Sequence, residues 1–99
     1  MFEQLLPRRP PDPSLRGVDC VAIDLETTGL HAARGDEIVS MAGVRIVDGR
    51  IRPQEVFDRL VDPGRPIPTR AVEIHGITDR MVAGQAGIVE SLGALRAFV

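Results

Sequence analysis

Residues 18–30 read VDCVAIDLETTGL. Six of the first eight are apolar and the run is rich in β-branched side chains, the composition of a central strand buried on both faces. Asp24 and Glu26 break that pattern. Side chains alternate along a strand, so residues 24 and 26 share a face, with Cα atoms about 6.5–7 Å apart. Two carboxylates held side by side away from water repel, and an unpaired buried charge is strongly unfavourable. A divalent cation relieves both problems. Mg²⁺ takes hard oxygen ligands, commonly one or two carboxylates together with substrate phosphates. Carboxylates at this spacing also suit a two-metal site, whose ions lie about 3.5–4 Å apart. The plainer alternative ends the strand at Asp24 and leaves both acids solvated at a strand-to-turn junction.

Thr27-Thr28-Gly29-Leu30 follows at once. Glycine lets the backbone approach a ligand closely, and the threonines add hydroxyl and amide donors. Further along, AVEIHGIT (71–78) puts His75 at the end of a short helix, where an imidazole commonly caps or packs against a nearby carbonyl. His31, in HAARGDE (31–37), reads as a surface loop residue.

Outward from this stretch, EIVSMAGVRIV (37–47) reads as a second strand and Asp48-Gly49 as a tight hairpin turn with positive φ. A third strand is expected from about Ile51 to Val61, with Pro53 demanding an edge position or a bulge. DPGRPIP (62–68) is a loop. Thr69 is expected to cap a short helix ending near Gly76, and Thr78 to cap another turn. Over 87–99, Ile88, Leu92, Leu95 and Val99 recur at helical spacing. Gly93 weakens that helix by about 1 kcal/mol relative to alanine. Residues 1–16, MFEQLLPRRPPDPSLR, read as an extended Pro/Arg-rich arm or linker. Three antiparallel strands followed by helices make an α+β arrangement. It leaves one difficulty: so apolar a first strand asks for a neighbour on each side, and only one is visible.

The chain has 99 residues, room for one small domain, and its 43% apolar content excludes a wholly disordered polymer. The single Cys20 cannot form an internal disulfide, which makes a reducing, cytoplasmic setting the expectation. No stretch approaches the ~20 apolar residues needed to span a bilayer, and the N-terminus has no apolar signal-peptide core. The net charge of −2 argues against a nonspecific polyanion binder but leaves open contact with nucleic acid through a metal site. Every basic residue is arginine.

Four segments together, VAIDLETTGL (21–30), DEIVSMAGVRI (36–46), FDRLVDPGRPIP (57–68) and AVEIHGITDRMV (71–82), resemble the N-terminal half of the DnaQ-like 3′–5′ exonucleases of the DEDDh group. That group includes the proofreading epsilon subunit of bacterial DNA polymerase III. The segments occur in the family's order and at its spacing. The resemblance implies an α/β fold of the ribonuclease H-like type, with a mixed sheet in the order 3-2-1-4-5. Only the first three antiparallel strands and the following helices are expected here, and strand four would be the missing neighbour of strand one.

By the same resemblance, Asp24 and Glu26 are the catalytic, metal-binding acids, and Thr27, Thr28, Gly29 and Leu30 lie along the terminal nucleotide, with Leu30 near the base. Ala71 and His75 belong to the pocket around that nucleotide, and His75 is not the catalytic base. The implied cofactor is Mg²⁺ or Mn²⁺, two ions in the complete enzyme. The implied substrate is a single-stranded DNA or RNA 3′ end, releasing nucleoside 5′-monophosphates. A DNA polymerase catalytic subunit is an implied partner, and no membrane is involved. The Glu-Thr-Thr-Gly run looks more like the DNA-proofreading branch than like oligoribonuclease.

The family's second motif, of the H-N-x-x-F-D type, and its third, which supplies a His and the last Asp, do not occur in these 99 residues. Residues 17–99 are therefore expected to form the N-terminal half of an exonuclease domain, inactive in isolation. Two other readings stay open. One is a non-catalytic module that binds a nucleic-acid end or pairs its open strand edge with another chain. The other is a piece that does not fold stably alone.

Overall fold

The structure, a computed structural model, describes Ser14 and residues 16–99, so the arm expected over residues 1–16 lies almost wholly outside the described residues. Three strands, β1 (Asp19–Thr27), β2 (Ile38–Val47) and β3 (Arg50–Leu60), form an antiparallel sheet in the order β1-β2-β3. Three helices follow: α1 (Thr69–His75), α2 (Asp79–Val82) and α3 (Ile88–Phe98).

β2 and β3 are joined by the Asp48-Gly49 turn, where both residues have positive φ, 53° and 75°. That combination matches the right-handed twist of the flanking strands. Pro53 sits where the sequence requires. Val44 faces Val56 but Arg45 faces Arg52, so Pro53, Gln54 and Glu55 are the extra residues of a bulge on an edge strand. A second register shift falls between Glu26 and Thr27 of β1, which face Ser40 and Ile38 and leave Val39 as the extra residue of β2.

β1 departs from expectation. It is an edge of this sheet rather than a strand buried on both faces, and Ile23 and Leu25 remain 48% and 43% exposed. The reason is topological: among the described residues only β2 lies beside it. β2 is the buried centre, with Val39, Met41, Ala42 and Val44 all withdrawn from water.

The helices cover one face. Phe98 of α3 stacks at a tilt on Phe57 of β3, with ring centroids 5.6 Å apart, and crowds the space above Gly43 of β2. Arg45 fastens the end of that helix. Its guanidinium donates to the Phe98 carbonyl, lies 5.3 Å from the Phe98 ring centroid, and pairs with Asp19 at 3.0 Å and Glu55 at 3.5 Å. This anchor turns α3 from the expected orientation. Ser91 is fully buried, whereas Leu92 and Val99 are 47% and 62% exposed. The inward face therefore runs through Ile88, Ser91, Leu95 and Phe98 rather than Ile88, Leu92, Leu95 and Val99, and Val99 lies just beyond the helix.

α1 and α2 pack at the other end. Ile67, Ala71, Ile77 and Val82 bury against Val39 in one apolar cluster. Thr69 does not cap α1; Pro68 holds that position, as its fixed φ and missing N–H allow, and Thr69 is the first helical residue. Gly76 closes α1 in the left-handed conformation, φ 74°, donating to the Val72 carbonyl at 2.7 Å. Thr78 caps α2 as expected, its hydroxyl accepting from Met81 N–H at 3.4 Å. None of the helices among the described residues is long and apolar enough to cross a membrane.

Candidate active site

The β1–β2 register is regular from Asp19 to Glu26. Directly opposed residues of an antiparallel pair share a face, so Asp24 stands beside Ala42 and Glu26 beside Ser40. This is the face away from Phe98, because Gly43, next to Ala42, turns toward that ring. Both cross-strand neighbours are small, and both acids are half-buried. Neither makes an ion pair or a side-chain hydrogen bond among the described residues. Two hard oxygen donors left unpaired on one face are the donor set a divalent ion takes. No group of three or more His, Cys, Asp or Glu among the described residues is placed to hold a metal by itself.

Beyond Glu26 the chain leaves the sheet and borders a cleft of about 570 Å³. One wall is the segment Leu25–His31 with Asp36, and the other is α1 with Pro68, Arg70, Ala71, Ile74 and His75. Of the residues expected at the site, Glu26, Thr27, Thr28, Gly29, Leu30, Ala71 and His75 all border this cleft, whereas Asp24 lies two residues back along the strand, outside it.

The first wall is a closed turn. Thr28, 2% exposed, donates its backbone N–H to the Glu37 carbonyl at 2.8 Å. Its hydroxyl donates to Asp36 Oδ1 at 2.8 Å and accepts from Glu37 N–H at 3.0 Å. Thr27 donates its hydroxyl to the Gly29 carbonyl at 2.7 Å. Asp36 Oδ2 accepts from His31 N–H at 2.9 Å. Gly29 is dictated by this crowding, because a Cβ there would stand 2.5 Å from Asp36 Oδ2. Leu30, between these tied residues, is 94% exposed. The His31 amide, then the Thr28 hydroxyl, then the guanidinium of Arg65 hold the Asp36 carboxyl below the usual carboxylate range.

Two cross-ties join the walls. His75 accepts from Ile77 N–H at Nδ1, 3.0 Å, so its other nitrogen carries the proton and Nε2 donates to the Thr27 carbonyl at 3.0 Å. Both ring nitrogens are thereby occupied inside the protein, which accounts for the capping role expected of this histidine. At the other end, Arg65 donates to the Gly35 carbonyl and stands 3.7 Å from Asp36 Oδ1.

Asp36 is the site residue the sequence reading did not single out. Its signal was present in the glycine seven positions earlier and in the short return from Leu30 to the second strand. His31, read as a surface residue, is exposed and borders the cleft; its amide serves the turn.

A family model described as exonuclease (RNase_T) matches residues 21–99. A DNA polymerase III subunit epsilon-like protein of Rhodobacter capsulatus is 57% identical over 70 residues, which are 71% of this chain and 10% of that protein. A PolC-type DNA polymerase III of Halalkalibacterium halodurans is 37% identical over 79 residues, 80% of this chain and 5% of that protein. Among solved structures, Exonuclease X in complex with 5′ overhanging duplex DNA aligns with a TM-score of 0.66 at 37% identity, covering 76% of this chain and 42% of that one. Cell-death related nuclease 4 aligns with a TM-score of 0.72 at 20% identity, covering 83% of this chain and 30% of that one, a likeness of fold. The chain thus spans a minor part of each of these proteins. Its three strands and helices are the corresponding part of a ribonuclease H-like fold.

Proposed function

This chain belongs to the DnaQ-like exonuclease family, and from that premise we propose that it supplies the terminal-nucleotide cleft and the first two acids of a metal-dependent 3′–5′ exonuclease of the proofreading type. The substrate would be the 3′ end of single-stranded DNA or RNA, released as nucleoside 5′-monophosphates. One observation carries the proposal: unpaired Glu26 borders the same cleft as exposed Leu30 and wall-bridging His75, with unpaired Asp24 on the same strand face.

The residues divide the work by their chemistry. Leu30 and Ile74, 94% and 79% exposed, offer apolar surface to a base from opposite walls. Arg70 borders the cleft with no ion pair among the described residues and is a cation for the phosphodiester. His75, with both nitrogens engaged, holds Thr27 and its neighbours rather than moving a proton. Asp24 and Glu26 would hold Mg²⁺ or Mn²⁺, which supplies Lewis acidity toward a phosphate and an acidified bound water. Two carboxylates are an incomplete cage, so residues 17–99, as the N-terminal half of the exonuclease domain, bind metal weakly and cleave little by themselves. Relatives named for DNA polymerase III support a polymerase catalytic subunit as partner, and the lone Cys20 supports a reducing, cytoplasmic location.

The test is degradation of 3′-labelled single-stranded DNA by the full-length protein in Mg²⁺ or Mn²⁺. Labelled nucleoside monophosphate should be released first, and Asp24→Ala should slow release at least about 100-fold. Undiminished release from Asp24→Ala would remove the acids from the mechanism. A second reading, a strand-pairing module, is favoured by the open edge of β1 with exposed Ile23 and Leu25. Concentration-dependent dimerisation without metal-dependent cleavage would select it.

A further inference from the structure

We propose that Asp36 is a positioning residue of the cleft, fixing the Thr28–His31 turn through both carboxylate oxygens and, through Arg65, its distance from the opposite wall. The inference rests on the exonuclease reading of the site and extends it to a residue that touches no reacting atom.

Leu30 lies almost wholly in water. A side chain 94% exposed contributes little to folding, yet this one sits on backbone that is hydrogen-bonded on both flanks. On its N-terminal side, Thr28 is pinned to the two residues just ahead of β2 by three hydrogen bonds, to the Glu37 carbonyl, from the Glu37 amide and to Asp36 Oδ1. On its C-terminal side, the His31 amide is pinned to Asp36 Oδ2, and the Asp36 amide donates back to the His31 carbonyl at 3.2 Å. Among the described residues, Asp36 is the one side chain that reaches both flanks of Leu30. Gly29, where a Cβ would stand 2.5 Å from that carboxylate, leaves it room to do so.

Arg65 adds the second dimension. It belongs to the segment that leads into α1, and it reaches back to the Gly35 carbonyl and the Asp36 carboxylate. With the His75 bridge to Thr27, it fixes both ends of the gap between Leu30 on one wall and Ala71 and Ile74 on the other. A terminal nucleotide entering a gap of preset width loses little further conformational freedom from the protein, which is how preorganisation raises affinity.

Asparagine at position 36 removes the charge and turns one acceptor into a donor: either the His31 amide loses its acceptor, or the Thr28 hydroxyl must reverse from donor to acceptor, and in both cases charge-assisted bonds are exchanged for weaker neutral ones and the turn loosens. Asp36→Asn is therefore expected to raise KM for a single-stranded 3′ end about tenfold while kcat stays within about twofold, the signature of lost ground-state positioning. Thr28→Val should raise KM in the same direction, and Thr28→Ser, which keeps the hydroxyl, should recover most of that loss. Arg65→Met, cutting only the tie between walls, should raise KM less. All are measured in the full-length protein. If Asp36→Asn does not fold, Thr28→Val and Arg65→Met carry the test by the same criterion. Unchanged KM in a folded variant, or a fall in kcat with KM unchanged, overturns the positioning role alone. Failure of the wild-type protein to act on 3′ ends at all would instead overturn the exonuclease reading, and this inference with it.

Discussion

On one side of the cleft, the turn from Thr28 to Glu37 is closed by hydrogen bonds, and the segment carries little buried apolar surface: Ala32, Ala33 and Leu30 are exposed. On the other side, α1 is seven residues long, too short to be stable by itself. It is held by burial of Ala71, with Ile67, Ile77 and Val82, against Val39. The first wall depends on where individual polar atoms sit, and the second on volume. A wall held by hydrogen bonds should respond to loss of one acceptor, to pH and to crowding. A wall held by packing should respond to missing methyl groups and ignore pH.

The largest break is on the packed side. Ile77 is 8% exposed in the α1–α2 cluster, and Ile77→Ala should destabilise the domain by about 3 kcal/mol through lost burial and an unfilled cavity. Denaturant titration checks it, and the loss should be nearly the same at pH 7 and pH 4. Gly29→Ala attacks the opposite wall without removing any group. The added methyl meets Asp36 Oδ2 at 2.5 Å, so the turn must open, at about 1–3 kcal/mol by the same titration.

Acid separates the walls further. The Asp36 carboxyl titrates below its ordinary value of 3.8, chiefly because the His31 amide and the Thr28 hydroxyl bond its charged form. A carboxyl with a lowered folded-state pKa stabilises the fold above its unfolded value and loses that contribution as pH falls through the lowered one. The stability gap between wild type and Asp36→Asn should therefore be full at neutral pH and shrink below pH 3.8. An NMR titration of the Asp36 carboxyl should show the lowered midpoint directly. The smallest effect on stability belongs to Leu30→Ala, within about 0.5 kcal/mol because the side chain is already in water, although affinity for a 3′ end should fall.

The same division explains what the sequence could disclose. The turns, the bulge and the helix ends were readable. Asp48-Gly49 announced its turn, Pro53 its bulge, Gly76 its helix end and Thr78 its cap, because each depends on one residue's backbone chemistry. The acids of β1 were legible because alternation fixes their common face. The polar turn was only half legible. Thr28 and Gly29 stood out, but Asp36 acts across eight residues, a distance at which no periodicity connects an acceptor to its donors. Side-chain faces fixed by tertiary anchors were not legible at all. α3 buries Ser91 and exposes Leu92 because Phe98 and Arg45 set its rotation. β1 looked central from its composition, yet only β2 lies beside it among the described residues.

Asp24 and Glu26, without partners among the described residues, are proposed to receive a divalent ion. Titration of the full-length protein with Mn²⁺, following free Mn²⁺ by electron paramagnetic resonance, tests it without reference to catalysis. Binding should weaken at least about tenfold in an Asp24→Asn/Glu26→Gln double variant that keeps its fold. Equal Mn²⁺ affinity in the folded double variant and the wild-type protein would contradict it.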